Sequence, residues 1–121
     1  MYADAFVIPV PKKNVAAYRR IATIAGKVWR EHGALDYKEC VAEDMSTDCG
    51  IPFAKLAGCK RGETVIVAWI VYKSRAHRDR VNAKVMKDPR ITSIGPKKMP
   101  FDMKRMSYGG FKVLVDAAAG K

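Results

Sequence analysis

The chain has 121 residues, 49% of them apolar and 29% charged. That balance is ordinary for a globular protein and far from the disordered class, and one domain spanning residues 1–121 is expected. Lysine and arginine number 23 against 12 acids, a formal +11 that draws anionic small molecules, polyanions or acidic surfaces without choosing among them.

Taken in order, the N-terminus lacks a basic segment ahead of an apolar one and a small-residue cleavage pattern, so a cytoplasmic protein is expected. Residues 2–10 alternate imperfectly and run into Pro9 and Pro11, which predicts a first strand with a stiff exit. Over residues 15–32, Tyr18, Ala22, Ala25, Trp29 and His32 recur at steps of four, three, four and three, with Ile21 and Val28 beside them. This is one apolar stripe of a helix, with Asn14 placed to cap its start and Gly33 to end it in a left-handed turn. Residues 35–42 alternate as a strand, with Leu35, Tyr37, Glu39 and Val41 on one face and Asp36, Lys38, Cys40 and Ala42 on the other.

Residues 43–63 have loop composition, with a short extended piece expected at 53–56; a loop this long folds over something or joins an interface. Residues 65–72 are all apolar, mostly β-branched or aromatic, too short for a membrane span and suited to a strand buried on both faces. Ser74 then offers an N-cap hydroxyl to a helix over 75–87, which Asp88-Pro89 ends. Residues 90–102 read as irregular, 104–115 as the last strand, and 117–121 as a frayed tail. The Gly109-Gly110 pair suggests a bulge or the close approach of another backbone.

Strand, helix, strand, strand, helix, strand is the βαββαβ order of an α+β, ferredoxin-like fold: a four-stranded antiparallel sheet with two helices on one face. The other face would be an apolar surface of roughly 20 by 25 Å, from strand spacings of about 4.8 Å and rises of about 3.3 Å per residue. Such a patch calls for a cover, most simply the sheet of an identical chain in a two-fold homodimer.

Candidate site residues follow from this placement. Trp29 and His32 share the first helix's stripe, where they are either ligand contacts or packing with a satisfied helix-end histidine. His77 lies in the first turn of the second helix, where free N–H groups and the positive dipole end favour a neutral ring. Tyr37, Glu39 and Trp69 could line a cavity in which Glu39 needs a partner, with Arg78 as the candidate. Arg78 shares a helical face with Val81, Asn82 and Val85, which makes an arginine there out of character for packing alone.

Cys40, Cys49 and Cys59 are an odd set without a C-x-x-C pair, so reduced thiols and no metal are expected. A Cys49–Cys59 disulfide would need an oxidising setting. Carboxylate-pair, Ser-His-Asp, P-loop and Rossmann patterns are missing, which removes support for hydrolase, kinase and dehydrogenase readings, and no cofactor is expected. The basic second half attracts phosphate, but no strand carries an RNA-recognition aromatic run, so nucleic acid is the lesser expectation.

The segments MYADAFVIPVPKKN, WREHGALDYKECVAED, ETVIVAWIVYKSRAHRDRVNAKVMKDPR and MPFDMKRMSYGGFKVLVD resemble the YbaA-like family of small bacterial proteins, a domain of unknown function in the dimeric α/β-barrel superfamily. Residues 45–60 depart from that pattern. The resemblance implies the same fold and a dimer, and it brings no agreed activity. Superfamily relatives include cofactor-free and haem-degrading monooxygenases and stress-related small-molecule binders. The expectation is therefore a small, anionic or otherwise organic ligand held between helices and sheet, with no membrane partner. The alternatives are a cofactor-independent monooxygenase-like enzyme using Tyr37, Glu39, His77 or His32, and an RNA-associated protein acting through its basic surface.

Overall fold

The structure, a computed structural model, describes residues 1–118. Four strands, β1 (Tyr2–Pro11), β2 (Asp36–Val41), β3 (Glu63–Tyr72) and β4 (Ser107–Lys112), form one sheet in the order β2-β3-β1-β4. Every neighbouring pair is antiparallel. Two helices of substance, α1 (Val15–Glu31) and α3 (Arg75–Val85), are joined by single turns α2 (Phe53–Leu56) and α4 (Pro89–Thr92). This is the ferredoxin-like arrangement that the order of elements predicts.

Alternation divides the sheet. Even-numbered residues of β1 and β3 turn toward the helices, and Ile8, Val10, Ile66, Ile70 and Tyr72 are buried there against α1 and α3 together with Tyr18, Val28, Val81 and Val85. Among the described residues, the odd-numbered set of the central strands (Ala3, Ala5, Val7, Val67, Trp69, Val71) has no layer over it and stays half-buried. The strand expected to be buried on both faces is therefore covered on one, with Val65 alone buried on the other.

Local rules account for most element ends. The Ser74 hydroxyl accepts from the His77 N–H and starts α3, and Gly33, at φ 118°, turns the chain away after α1. Asp88 closes the α3 region and opens α4, accepting from the Arg90 N–H with Pro89 in the first turn. Asn14 occupies the N-cap position of α1, but its side-chain amide donates instead to the Pro100 carbonyl, pinning the helix start to the distant 96–106 segment.

Three further expectations need correction. Residues 53–56 are a helical turn, not an extended piece, because Pro52 leaves its carbonyl free to accept the Lys55 and Leu56 N–H groups. The last strand is Ser107–Lys112, shorter than expected, since Asp102 caps a 3₁₀ turn over Met103–Arg105. The Gly109-Gly110 pair makes no bulge, as pairing with β1 is unbroken from Tyr2 to Val7. A methyl at Gly110 would instead sit 2.8 Å from the Tyr2 ring, so the close approach is by a side chain. Of the expected tail, residues 119–121 lie outside the described residues.

Pro9 and Pro11 have a place of their own. On β1 the odd-numbered backbone groups face β4, as the Met1 carbonyl shows by accepting from the Val113 N–H, and β4 stops pairing at Val7. The two prolines thus lack an N–H where no strand exists to receive it.

Candidate functional site

Between the helices and the β1–β4 side of the sheet lies a chamber of about 590 Å³. Phe6, Ile70, Tyr108 and Gly110 form its floor, Ile21, Ala25 and Trp29 of α1 one wall, and Arg78, Asn82 and Met86 of α3 another. The 91–106 segment closes it with Ile91, Ile94, Met99, Met103 and Met106. Several methionines make this a wall that can adapt its shape to an occupant.

The polar groups gather at one end. Asp4, 8% exposed, is the buried charged residue of the core, and its Oδ1 lies 3.7 Å from Arg78 Nε. That distance is an ion pair without an aligned hydrogen bond, and Arg78 Nε is buried with no hydrogen-bond partner. The guanidinium is held elsewhere: Nη2 donates to the Tyr2 hydroxyl at 3.2 Å, its carbon stands 5.1 Å over the Tyr2 ring, and Nε also lies 3.3 Å from Asp79. Hydrogen bonding to Tyr2 and the charges of Asp4 and Asp79 raise the Arg78 pKa against the opposing effect of burial, which is the largest single influence.

Beside this pair, Trp29 Nε1 donates to Asn82 Oδ1 at 3.0 Å and to the Tyr72 hydroxyl at 3.1 Å. Tyr72 in turn donates to Asn82 Oδ1 at 3.2 Å. With its oxygen doubly engaged, Asn82 is oriented with its amide nitrogen available to an occupant. Burial, and then the negative charge of Asp4, push the Tyr72 phenol well above the ordinary tyrosine value, so it stays a donor.

A second cluster sits on β2. Glu39 Oε1 accepts from the Tyr18 hydroxyl at 2.5 Å, and its Oε2 accepts from the Tyr37 hydroxyl at 2.6 Å. Burial first, then the Glu39 charge, raise both phenols far above their usual pKa. The carboxylate therefore ties α1 to β2 through two short, charge-assisted bonds. Arg78, the expected partner of Glu39, pairs with Asp4 instead, because Arg78 faces the β1 side of the sheet while Glu39 lies on the far edge strand.

The remaining candidates divide. Trp29 lines the chamber; Tyr37 and Glu39 line a smaller space next to it. Trp69 sits on the opposite, open face: its partners in the ladder are Ala5 and Lys38, both odd or even in step with that face, so it shares no cavity with Tyr37 and Glu39. His32 Nε2 pairs with Asp88 at 2.9 Å, outside the chamber. His77 Nδ1 accepts the Lys73 N–H at 2.9 Å. Burial and then Lys73, Arg80 and Lys84 lower its pKa, giving the neutral ring expected at a helix start. Asp4 was not anticipated; its signal is an acid at the helix-facing parity of a strand whose neighbours there are Tyr2, Phe6, Ile8 and Val10.

The three cysteines are free, and among the described residues no group of His, Cys, Asp and Glu side chains could hold a metal ion. No helix there is long and apolar enough to cross a membrane.

Known proteins share this architecture. The uncharacterized protein YbaA of Escherichia coli (strain K12) is 41% identical over 115 residues, 95% of this chain and 97% of that one, and YbaA of Shigella flexneri matches equally. A solved uncharacterized NIPSNAP domain protein from Burkholderia xenovorans superposes with a TM-score of 0.56 at 16% identity, over 98% of this chain and 97% of that one. A NIPSNAP family protein of unknown function from Agrobacterium tumefaciens gives 0.53 at 20% identity, over 93% and 87%. At such identities the likeness speaks for the fold alone. The family model described as a protein of unknown function (DUF1428) matches residues 1–103, and the chain belongs to that family.

Proposed function

We propose that this protein binds a small, largely apolar organic molecule in the chamber beneath its helices, as a cytoplasmic homodimer joined through the open face of its sheet. The observation that carries the binding reading is the chamber itself: about 590 Å³, apolar throughout most of its lining, with Asp4, Arg78 and Asn82 converging at one end. Ligand sites have this size and this division of labour, with an apolar body for affinity and a few polar groups for orientation. Arg78 and Asp4, 3.7 Å apart and misaligned, leave donors and an acceptor for a ligand's hydroxyl or carbonyl. An oxygenase-like reading has less behind it, since His32 and His77 are both committed to contacts away from the chamber.

The homodimer rests on Val67, Trp69, Val71, Ala3 and Ala5, an apolar strip without a layer over it. Native mass spectrometry tests both parts. The expected spectrum is a dimer, either carrying an extra mass or taking one up from a panel of small aromatic and aliphatic acids and alcohols. Trp69→Glu should give a folded monomer. A wild-type monomer would remove the dimer, and a protein that accepts no member of the panel would remove the binding reading.

A further inference from the structure

The chamber continues under α1. Next to it is a smaller, partly open space of about 160 Å³; Ile21, Ala25 and Trp29 of α1 line both, above Phe6 and Ile70 of the shared floor. On its far side, Tyr18, Ala22, Tyr37 and Glu39 line both this space and an open groove of about 660 Å³ between α1 and β2. The floor steps across the whole sheet, from Gly110 on β4 to Phe6 on β1, Ile70 on β3 and Glu39 on β2. Three strand spacings of about 4.8 Å make that roughly 14 Å. Small residues keep the underside of α1 low where Ala22 and Ala25 border the spaces, while at Gly26 the Tyr37 ring packs against the helix, 2.9 Å from where a methyl would stand.

The two ends differ in charge. At the chamber end the one cation, Arg78, is already answered by Asp4 and Asp79. At the groove end Arg19, Lys27 and Arg30 face the single carboxylate of Glu39, which two tyrosine hydroxyls already satisfy. Arg30 spends Nη1 on the carbonyls of Ala34 and Leu35, whereas Arg19 and Lys27 join no salt bridge among the described residues. A carboxylate gains nothing beside Asp4 and gains two cations outside any salt bridge beside the groove, though Lys27 also feels the Glu31 charge.

From this we infer that the passage takes an elongated organic acid: an acyl-type chain lying beneath α1 across the sheet, its carboxylate at the groove mouth between Arg19 and Lys27. The chain enters alongside the Tyr18–Glu39–Tyr37 bridge, runs over Ala68 and Ile70, and ends in the methionine-walled chamber. This narrows the binding reading above and rests on it.

Calorimetric titration separates the two. The probes are linear alkanoates of increasing length below their micelle concentration, alkanols of the same lengths, and 2-naphthoate as a compact acid. Alkanoate affinity should rise roughly fourfold per added methylene, from about 0.8 kcal/mol each, and level off near ten carbons, when about 14 Å of passage is filled. The double charge reversal Arg19→Glu/Lys27→Glu, at two exposed positions, should lower alkanoate affinity about tenfold and leave the alkanols unchanged. Ala25→Leu, placed in the common wall, should weaken long chains and spare short ones, with circular dichroism reporting that the fold is kept. Tight binding of 2-naphthoate with no dependence on chain length would overturn the acyl-chain inference and leave the chamber reading standing. Binding of alkanoates that ignores the charge reversal would overturn the placement of the carboxylate. Silence from every probe would remove both readings.

Discussion

Asp4 and Glu39 lie on the same helix-covered face of one sheet, and they solve the problem of a carboxylate under a helix in opposite ways. Glu39 is saturated: each oxygen accepts one short bond from a neutral phenol, at 2.5 and 2.6 Å, and the phenols come from the two elements that must be held together. Asp4 is answered by charge across 3.7 Å, with the guanidinium aimed elsewhere. A saturated carboxylate fastens structure. One answered across a longer ion pair holds its neighbours less tightly, which suits the ligand-binding end proposed above.

The largest test of that contrast is Arg78→Ala. It strands a buried Asp4 without its counter-charge and should destabilise the fold by about 3 kcal/mol, near the lower end for breaking a buried pair because Arg78 is partly exposed. Urea denaturation measures it. A loss below about 1 kcal/mol would mean that Asp4 draws its stabilisation from elsewhere.

Next come Tyr18→Phe and Tyr37→Phe, each of which removes a hydrogen bond to a charged group and should cost about 2 kcal/mol. Adding Glu39→Leu to the double phenylalanine variant should recover much of that loss, since an apolar trio replaces a satisfied polar one. The same denaturation curves report it. Failure to recover would show that Glu39 does more than fasten α1 to β2.

Gly110→Ala disturbs the Asp4 end through Tyr2, whose ring lies 2.8 Å from the added carbon, and should cost about 1–2 kcal/mol as Tyr2 and then Arg78 shift. Its ligand affinity should fall along with its stability, whereas the tyrosine variants of the Glu39 bridge should chiefly lose stability.

The smallest effect belongs to a carboxylate outside both clusters. Arg105 donates to both oxygens of Glu63, at 2.7 and 2.8 Å, and this pairing, helped by the Lys60 N–H, lowers the Glu63 pKa from 4.5 to about 2. Because the folded value is depressed, the stabilisation is fully present above the unfolded pKa and is lost as pH falls from about 5 toward 2. Melting temperature against pH should therefore drop over that window in the wild type, and drop less in Arg105→Ala.

How much of this was legible in the sequence depends on periodicity. Residues 35–42 alternate cleanly, so the face shared by Tyr37 and Glu39 could be read directly. Residues 65–72 are apolar at both parities, so nothing in them says that Trp69 turns away from the helices; only the register with Ala5 and Lys38 does. Glu39 was recognisably in need of a partner, but its partners are hydroxyls on aromatic rings, and a tyrosine in an apolar stripe hides a donor inside a packing residue. Asp4 carried a signal, a charge at an apolar parity, that went unread. The methionine wall carried none, because residues 90–106 carry no period, and their path is set by long-range ties such as Asn14 to Pro100 and Arg105 to Glu63.

The two prolines of β1 set the character of the sheet's open margin. Past Val7 that strand has no neighbour on its outer side, and such a margin ordinarily serves as a template on which another chain can lay down a strand. Pro9 and Pro11 take the donors from that margin and leave only carbonyls, so the template is half-blank. Strand addition is disfavoured there, so the homodimer proposed above, in which one sheet face meets another, has little competition from growth along this margin.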